Sequence, residues 1–120
     1  PSISGIAYTN SFSGASSATG TKLYDLDSTS NNLYEQIPPN EGVLVLKGAT
    51  GLTLVSSTGM DIAGGDNMVL AVNGNSLYRI NLSSGAATPA VSVAGVANLE
   101  ASRIGGTTTP ALIDLAILLK

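Results

Sequence analysis

Any chemistry in this chain has to be done without the commonest catalytic groups. Histidine and cysteine are both absent from the 120 residues. That removes the usual general base, the usual zinc ligand, the thiol nucleophile and the disulfide. No serine can be activated by a Ser-His-Asp arrangement. The lysines that could serve a Ser-Lys pair, Lys22, Lys47 and Lys120, stand in no recognisable motif. We therefore assign no catalytic residue, no cofactor-binding residue and no metal ligand, and expect a non-enzyme without a cofactor.

Carboxylates and tyrosines are the remaining candidates. Asp25 and Asp27 would share one face of a strand and, with Ser28, could touch a Ca²⁺ ion. A calcium site wants about 6–8 oxygen ligands and no EF-hand pattern is present. The plainer expectation is a solvated strand end, with Asp27 bonding its own turn. Asp61 stands between Met60 and Ile62 and reads as a buried turn-organiser whose carboxylate accepts backbone N–H groups. Tyr8, Tyr24, Tyr34 and Tyr78 could stack on a sugar, but packing with the hydroxyls at the rim is the stronger expectation. Asn81-Leu82-Ser83 is the single N-glycosylation sequon, and Phe12–Thr21 is a Ser/Thr-rich loop that could carry glycan.

The elements that position these residues are strands. Gly, Ser, Thr and Asn interrupt every stretch before a helical period is established. Short apolar runs at Ile3–Tyr8, Lys22–Asp27, Val43–Lys47, Leu52–Val55, Met68–Val72, Leu77–Leu82 and Ala90–Val96 are bounded by turn formers, the pattern of an antiparallel all-β domain. Asn73-Gly74-Asn75 suits a hairpin, Ala63-Gly64-Gly65-Asp66 a tight reversal, and Pro38-Pro39 a rigid loop. With aromatic residues at 4%, the core must be aliphatic. We expect one β domain over 1–120, as two propeller-blade-like sheets or one sandwich made from them.

Charge narrows the partners. Charged residues make up 11%, against about 25% in an average soluble protein. Five basic residues spread along the chain form no phosphate-binding patch, so nucleic acid is not an expected partner. No apolar run approaches the ~20 residues of a membrane span. A Ser/Thr-rich surface with few charges suits a secreted, cell-surface protein, and few charges oppose self-association. Pro1 in first position suits a processed product.

An internal repeat is visible. Leu23-Tyr24-Asp25-Leu26-Asp27 parallels Leu77-Tyr78-Arg79-Ile80-Asn81, and the offset is 77 − 23 = 54 residues, near the length of a propeller blade. On this basis repeat one spans about 3–58 and repeat two about 59–97. The same residues resemble a known family. Ala7-Tyr8-Thr9-Asn10 with Phe12, Gly14 and Ala15, then Leu23-Tyr24, Pro38-Pro39-Asn40 and Gly42, then Gly59-Met60-Asp61-Ile62, Ile80-Asn81-Leu82 and Gly85-Ala86-Ala87-Thr88 carry the resemblance. The family is a domain of unassigned function in secreted bacterial proteins with propeller-like repeats. It implies β structure and export, and no catalytic residues. Its members hold several such units, whereas this chain holds about two and departs from the pattern after Thr88.

The end of the chain is unlike the rest. Ala111–Lys120 is an apolar segment after Pro110. As a strand it lines up Ile113, Leu115, Ile117 and Leu119 on one face; as a helix it would place Leu112, Leu115, Ala116 and Leu119 in a stripe. It reads either as the last strand of its own domain or as a strand added to a neighbouring subunit. In the second case Leu112, Ile113, Leu115, Ile117, Leu118 and Leu119 form the assembly interface, and head-to-tail addition gives a homo-oligomer or homopolymer. The leading expectation for function is an extracellular self-assembling structural protein, a filament subunit. A monomeric module binding a glycan or protein, or a piece of a larger propeller-like protein, is the alternative.

Overall fold

A computed structural model describes residues 1–16, 20–105 and 115–117. It is all-β. Strands β1 (Ile3–Tyr8), β2 (Leu23–Asp27), β3 (Asn32–Gln36) and β4 (Leu44–Ala49) form one antiparallel sheet in sequential order. Strands β5 (Gly59–Ile62), β6 (Val69–Asn73), β7 (Ser76–Ile80) and β8 (Ala87–Pro89) form a second. A two-residue-per-strand hairpin, β9 (Ser92–Val93) with β10 (Val96–Ala97), and a 3₁₀ turn at Glu100–Ser102 follow. Among the described residues no helix is long and apolar enough to cross a membrane.

The period of two decides which side chains meet. In the first sheet Ala7, Tyr24 and Glu35 lie on one cross-strand row, and Gly5, Leu26 and Leu33 on the next. This face turns inward. In the second sheet Met60, Ala71 and Tyr78 form the matching row, beside Ile62 with Val69 and Ile80 with Ala87. Together these side chains make one core shared by both sheets, with Leu26 and Leu33 fully buried at its centre. Each such leucine contributes roughly 1.5–3 kcal/mol. β1 and β5 lie against each other where the sheets meet, and a Cβ on Gly5 would lie 3.1 Å from that of Met60.

The segment between the sheets has no ladder of its own. Two asparagines hold it. Asn31, in the β2–β3 turn, accepts the Leu54 amide on Oδ1 (2.8 Å), while its carbonyl accepts Thr50 N–H and Thr50 Oγ1. Asn73, at the β6–β7 turn, accepts Val55 N–H (2.9 Å) and Thr58 Oγ1 (2.9 Å) and donates to the Thr53 carbonyl (3.0 Å). This overturns the expected strand at Leu52–Val55. Its backbone groups are satisfied by side chains from two different turns, so it needs no partner strand.

Other expectations changed as well. β3 was not expected, because Asn32, Glu35 and Gln36 hide its alternation; Glu35 is buried there against Lys22 (3.4 Å) and Lys47 (3.3 Å). β5 was not expected as a strand either. The run Ala90–Val96 lies beyond β8 and holds β9, the β9–β10 turn and the first residue of β10. The repeated Leu-Tyr strands do not occupy equivalent places. Leu23-Tyr24 lies in the second strand of its sheet and Leu77-Tyr78 in the third of its own. Leu33-Tyr34, 77 − 33 = 44 residues before, holds the position matching Leu77-Tyr78. What does repeat is the local turn. Asn31 N–H bonds the Asp27 carbonyl and Gly85 N–H bonds the Asn81 carbonyl, each closing a five-residue loop with positive φ at its last residue.

Gly85 also has to be glycine for packing. Its φ is 79°, and a Cβ there would collide with the carbonyl oxygen of Gly48 in β4. Gly85→Ala is expected to cost about 2–4 kcal/mol through strain and collision with rigid backbone. Urea unfolding of variant and parent measures it; a loss below about 0.5 kcal/mol would show that the β7–β8 turn does not abut β4 this closely.

Candidate functional site

The face of the first sheet that turns away from the shared core carries the residues singled out by their chemistry. Across it run Ile6, Asp25, Tyr34 and Leu46, and beside them Tyr8, Leu23, Gln36 and Leu44. β2 is buried on both faces. The flanking side chains remain open: Ile6 is 56% exposed, Tyr8 46% and Leu46 57%. The result is an apolar surface with an acidic centre.

Asp25 and Asp27 are not a solvated strand end. Both are buried, for different reasons. Burial alone would raise the Asp27 carboxyl, but hydrogen bonds from Ser2 N–H (2.6 Å), Ser30 Oγ (2.7 Å) and Thr29 N–H (3.0 Å) outweigh it and hold the pKa at about 2. The Thr29 bond is the turn-closing contact expected from the sequence. Asn81 does the same work, accepting Ser83 N–H (2.8 Å) and Ser84 N–H (3.2 Å) on Oδ1. Among the described residues Asp25 has no hydrogen-bond partner on either carboxylate oxygen, and burial raises its pKa. Ser28 donates to the Ser2 carbonyl, and no cluster of three metal-ligating side chains exists among the described residues.

The other candidates are also accounted for. Asp61 is half-buried and accepts two backbone amides, its neighbour Ile62 (2.9 Å) and the distant Ile117 (2.6 Å). Of the terminal interface residues, Leu115 and Ile117 are half-buried in this position, while Leu112, Ile113, Leu118 and Leu119 lie outside the described residues. Tyr24 and Tyr78 pack in the shared core, and Tyr8 and Tyr34 lie on the outward face of the first sheet. Lys22 and Lys47 are tied to Glu35. An open cleft of about 400 Å³ lies between the sheets beside Tyr24, Lys22, Asn10 and Asn67. A reciprocal amide contact closes its floor: Asn10 N–H donates to Asn67 Oδ1 (2.8 Å) and Asn67 Nδ2 to Asn10 Oδ1 (2.9 Å). The sequence did not point to this pair, since asparagines 57 residues apart carry no shared signal.

A family model described as a domain of unknown function (DUF4394) matches residues 1–101. The chain belongs to that family. No curated protein matches it, and no solved structure does. The DUF4394 match takes in both four-stranded sheets and the outward face with Asp25, and residues 115–117 fall beyond it. An unassigned function is what the sequence motifs led us to expect of the family.

The two aspartates act on stability with opposite sign. Asp27 has a depressed folded pKa, so its contribution is present above about pH 4 and is lost as pH falls toward about 2. Asp27→Ala should cost about 1–3 kcal/mol at pH 7 and remove that acid limb. Asp25 has a raised folded pKa, so its ionisation opposes folding as pH rises above the ordinary carboxylate range. Asp25→Asn should therefore be more stable than the parent at pH 7, and the gain should vanish at acid pH where both side chains are neutral. Denaturant midpoints measured from pH 2 to pH 8 check both; a stability gain of Asp25→Asn that persists unchanged in acid contradicts the assignment.

Proposed function

We propose that the protein is a non-enzymatic structural module that works by self-association through its first sheet, outside the cell. The observation that carries this reading is the outward face of that sheet, where Ile6, Tyr8 and Leu46 stand exposed around a buried, unpaired Asp25. Exposed apolar side chains gathered on one face mark interaction sites in soluble proteins. The two sheets resemble two blades of a propeller, packed with β1 beside β5. Two blades cannot close a ring, and the next blade would be expected to cover this same face. The low charge content supports the association and the export alike.

Association through the terminal segment is the weaker form of this proposal. The Ile117 amide is bonded to Asp61 of its own chain, which favours seating against its own second sheet. A glycan-binding role has less support, because Tyr24 and Tyr78 are enclosed in the core.

Sedimentation velocity across a wide range of concentration tests the proposal. The expected result is reversible, concentration-dependent association. Leu46→Glu, at a position on the same face that is already exposed, should weaken it without changing the circular dichroism. A monomer at every concentration would sink the proposal.

A further inference from the structure

Resting on that reading of the first sheet, we infer that the joint is the free edge of β4, paired antiparallel with β4 of a second copy about a two-fold axis at Val45. The four outer edges of the two sheets are not alike. β1 and β5 lie against each other, and β8 is three residues long and ends in Pro89, which has no N–H to offer. β4 runs for six residues and, among the described residues, has no strand on its outer side. Its protective features, Lys47 and the register shift opposite Leu33 and Tyr34, sit at its C-terminal half. Val43, Val45 and Leu46 before them are 49%, 45% and 57% exposed.

The backbone defines which register a second copy can take. Ile37 N–H bonds the Val43 carbonyl, so the pairs 37 with 43 and 35 with 45 are the hydrogen-bonded ones within the sheet. By the same alternation the backbone groups of Leu44 and Leu46 point to the open side. An antiparallel second copy centred on Val45 sets Leu44 opposite Leu46 of the second copy and Leu46 opposite its Leu44. Each pair then exchanges both of its outward hydrogen bonds. The side chains agree with this register. Leu44 and Leu46 lie on the outward face beside Tyr34 and Gln36, so the leucines of two copies meet on one face and the two Val45 side chains meet on the other. Lys47 falls opposite Val43 of the second copy, so the two lysines do not confront each other. Each lysine is already engaged by Glu35 of its own chain.

Because the chain has no cysteine, one introduced residue reads the register. Val45 would face its own copy at a non-hydrogen-bonded pair, about 4.5 Å between Cα atoms, within disulfide range. Val45→Cys should form a covalent dimer under mild oxidation much faster than Ser92→Cys on the exposed hairpin. Leu44→Pro removes only an outward N–H and should give a folded monomer; Leu46→Lys, at an exposed position, should do so without touching the backbone. Both are measured by sedimentation with circular dichroism as the check on folding. If Val45→Cys cross-links no faster than Ser92→Cys, or if folded Leu46→Lys still associates as the parent does, the β4 joint is overturned while self-association stands. If removing residues 110–120 abolishes association and Leu46→Lys does not, the terminal segment is the joint instead. A parent chain that never associates removes both proposals.

Discussion

The shared core depends on how the nine residues from Thr50 to Thr58 are held, since they cross from one sheet to the other without any ladder partner. Backbone donors and acceptors in such a stretch must be satisfied somewhere. Asn31 and Asn73 supply the partners from the turn between second and third strands of the first and second sheets respectively. Asn31 does this from a left-handed conformation, with φ at 60°, which asparagine tolerates better than most residues. The crossing segment is thereby tied to both sheets at once, and the inward faces are brought into register. Leu54 is buried in the shared core from within this segment, so the linker contributes to the packing it organises.

The same economy of short polar side chains recurs wherever a strand ends. Asp27 and Asn81 close equivalent turns by accepting backbone amides, one as a carboxylate and one as an amide. Asn10 and Asn67 join the loops at one end of the two sheets. Of these contacts only those of Asp27 use charge; Asn81, Asn10 and Asn67 bond as neutral amides. Asp25 is the exception. Its oxygens are buried between Ile6 and Tyr34 with nothing to bond among the described residues.

The two faces of the first sheet thus have different fates. One is covered by the second sheet. The other combines open aliphatic and aromatic side chains with a free edge, and that combination is what a chain of blades or a pair of copies would cover. The second sheet ends differently, with a short β8 and with residues 115–117 seated against Asp61. The two sheets are thus asymmetric in what they leave open.

Several features were legible without coordinates. Ile3–Tyr8 is a strand because it is a short apolar run bounded by turn formers, and Asn73-Gly74-Asn75 is a hairpin turn because Gly74 takes a positive φ, here 65°. The all-β class follows from such local rules, as does the role of Asp27 in its own turn. The strand at Asn32–Gln36 was hidden because a buried Glu35 reads as polar until Lys22 and Lys47 are brought to it. Leu52–Val55 read as a strand because its apolar residues alternate, but its amides are taken by side chains 23 and 18 residues away. The repeat fell out of step for a related reason: sequence similarity marks a strand with its turn, and says nothing of that strand's place in a sheet. Local stereochemistry and hydrophobic period were carried by the sequence alone. Which face is covered, which edge stays open and which carboxylate loses its water were decided only by tertiary packing, because each depends on residues far apart in the chain coming into contact.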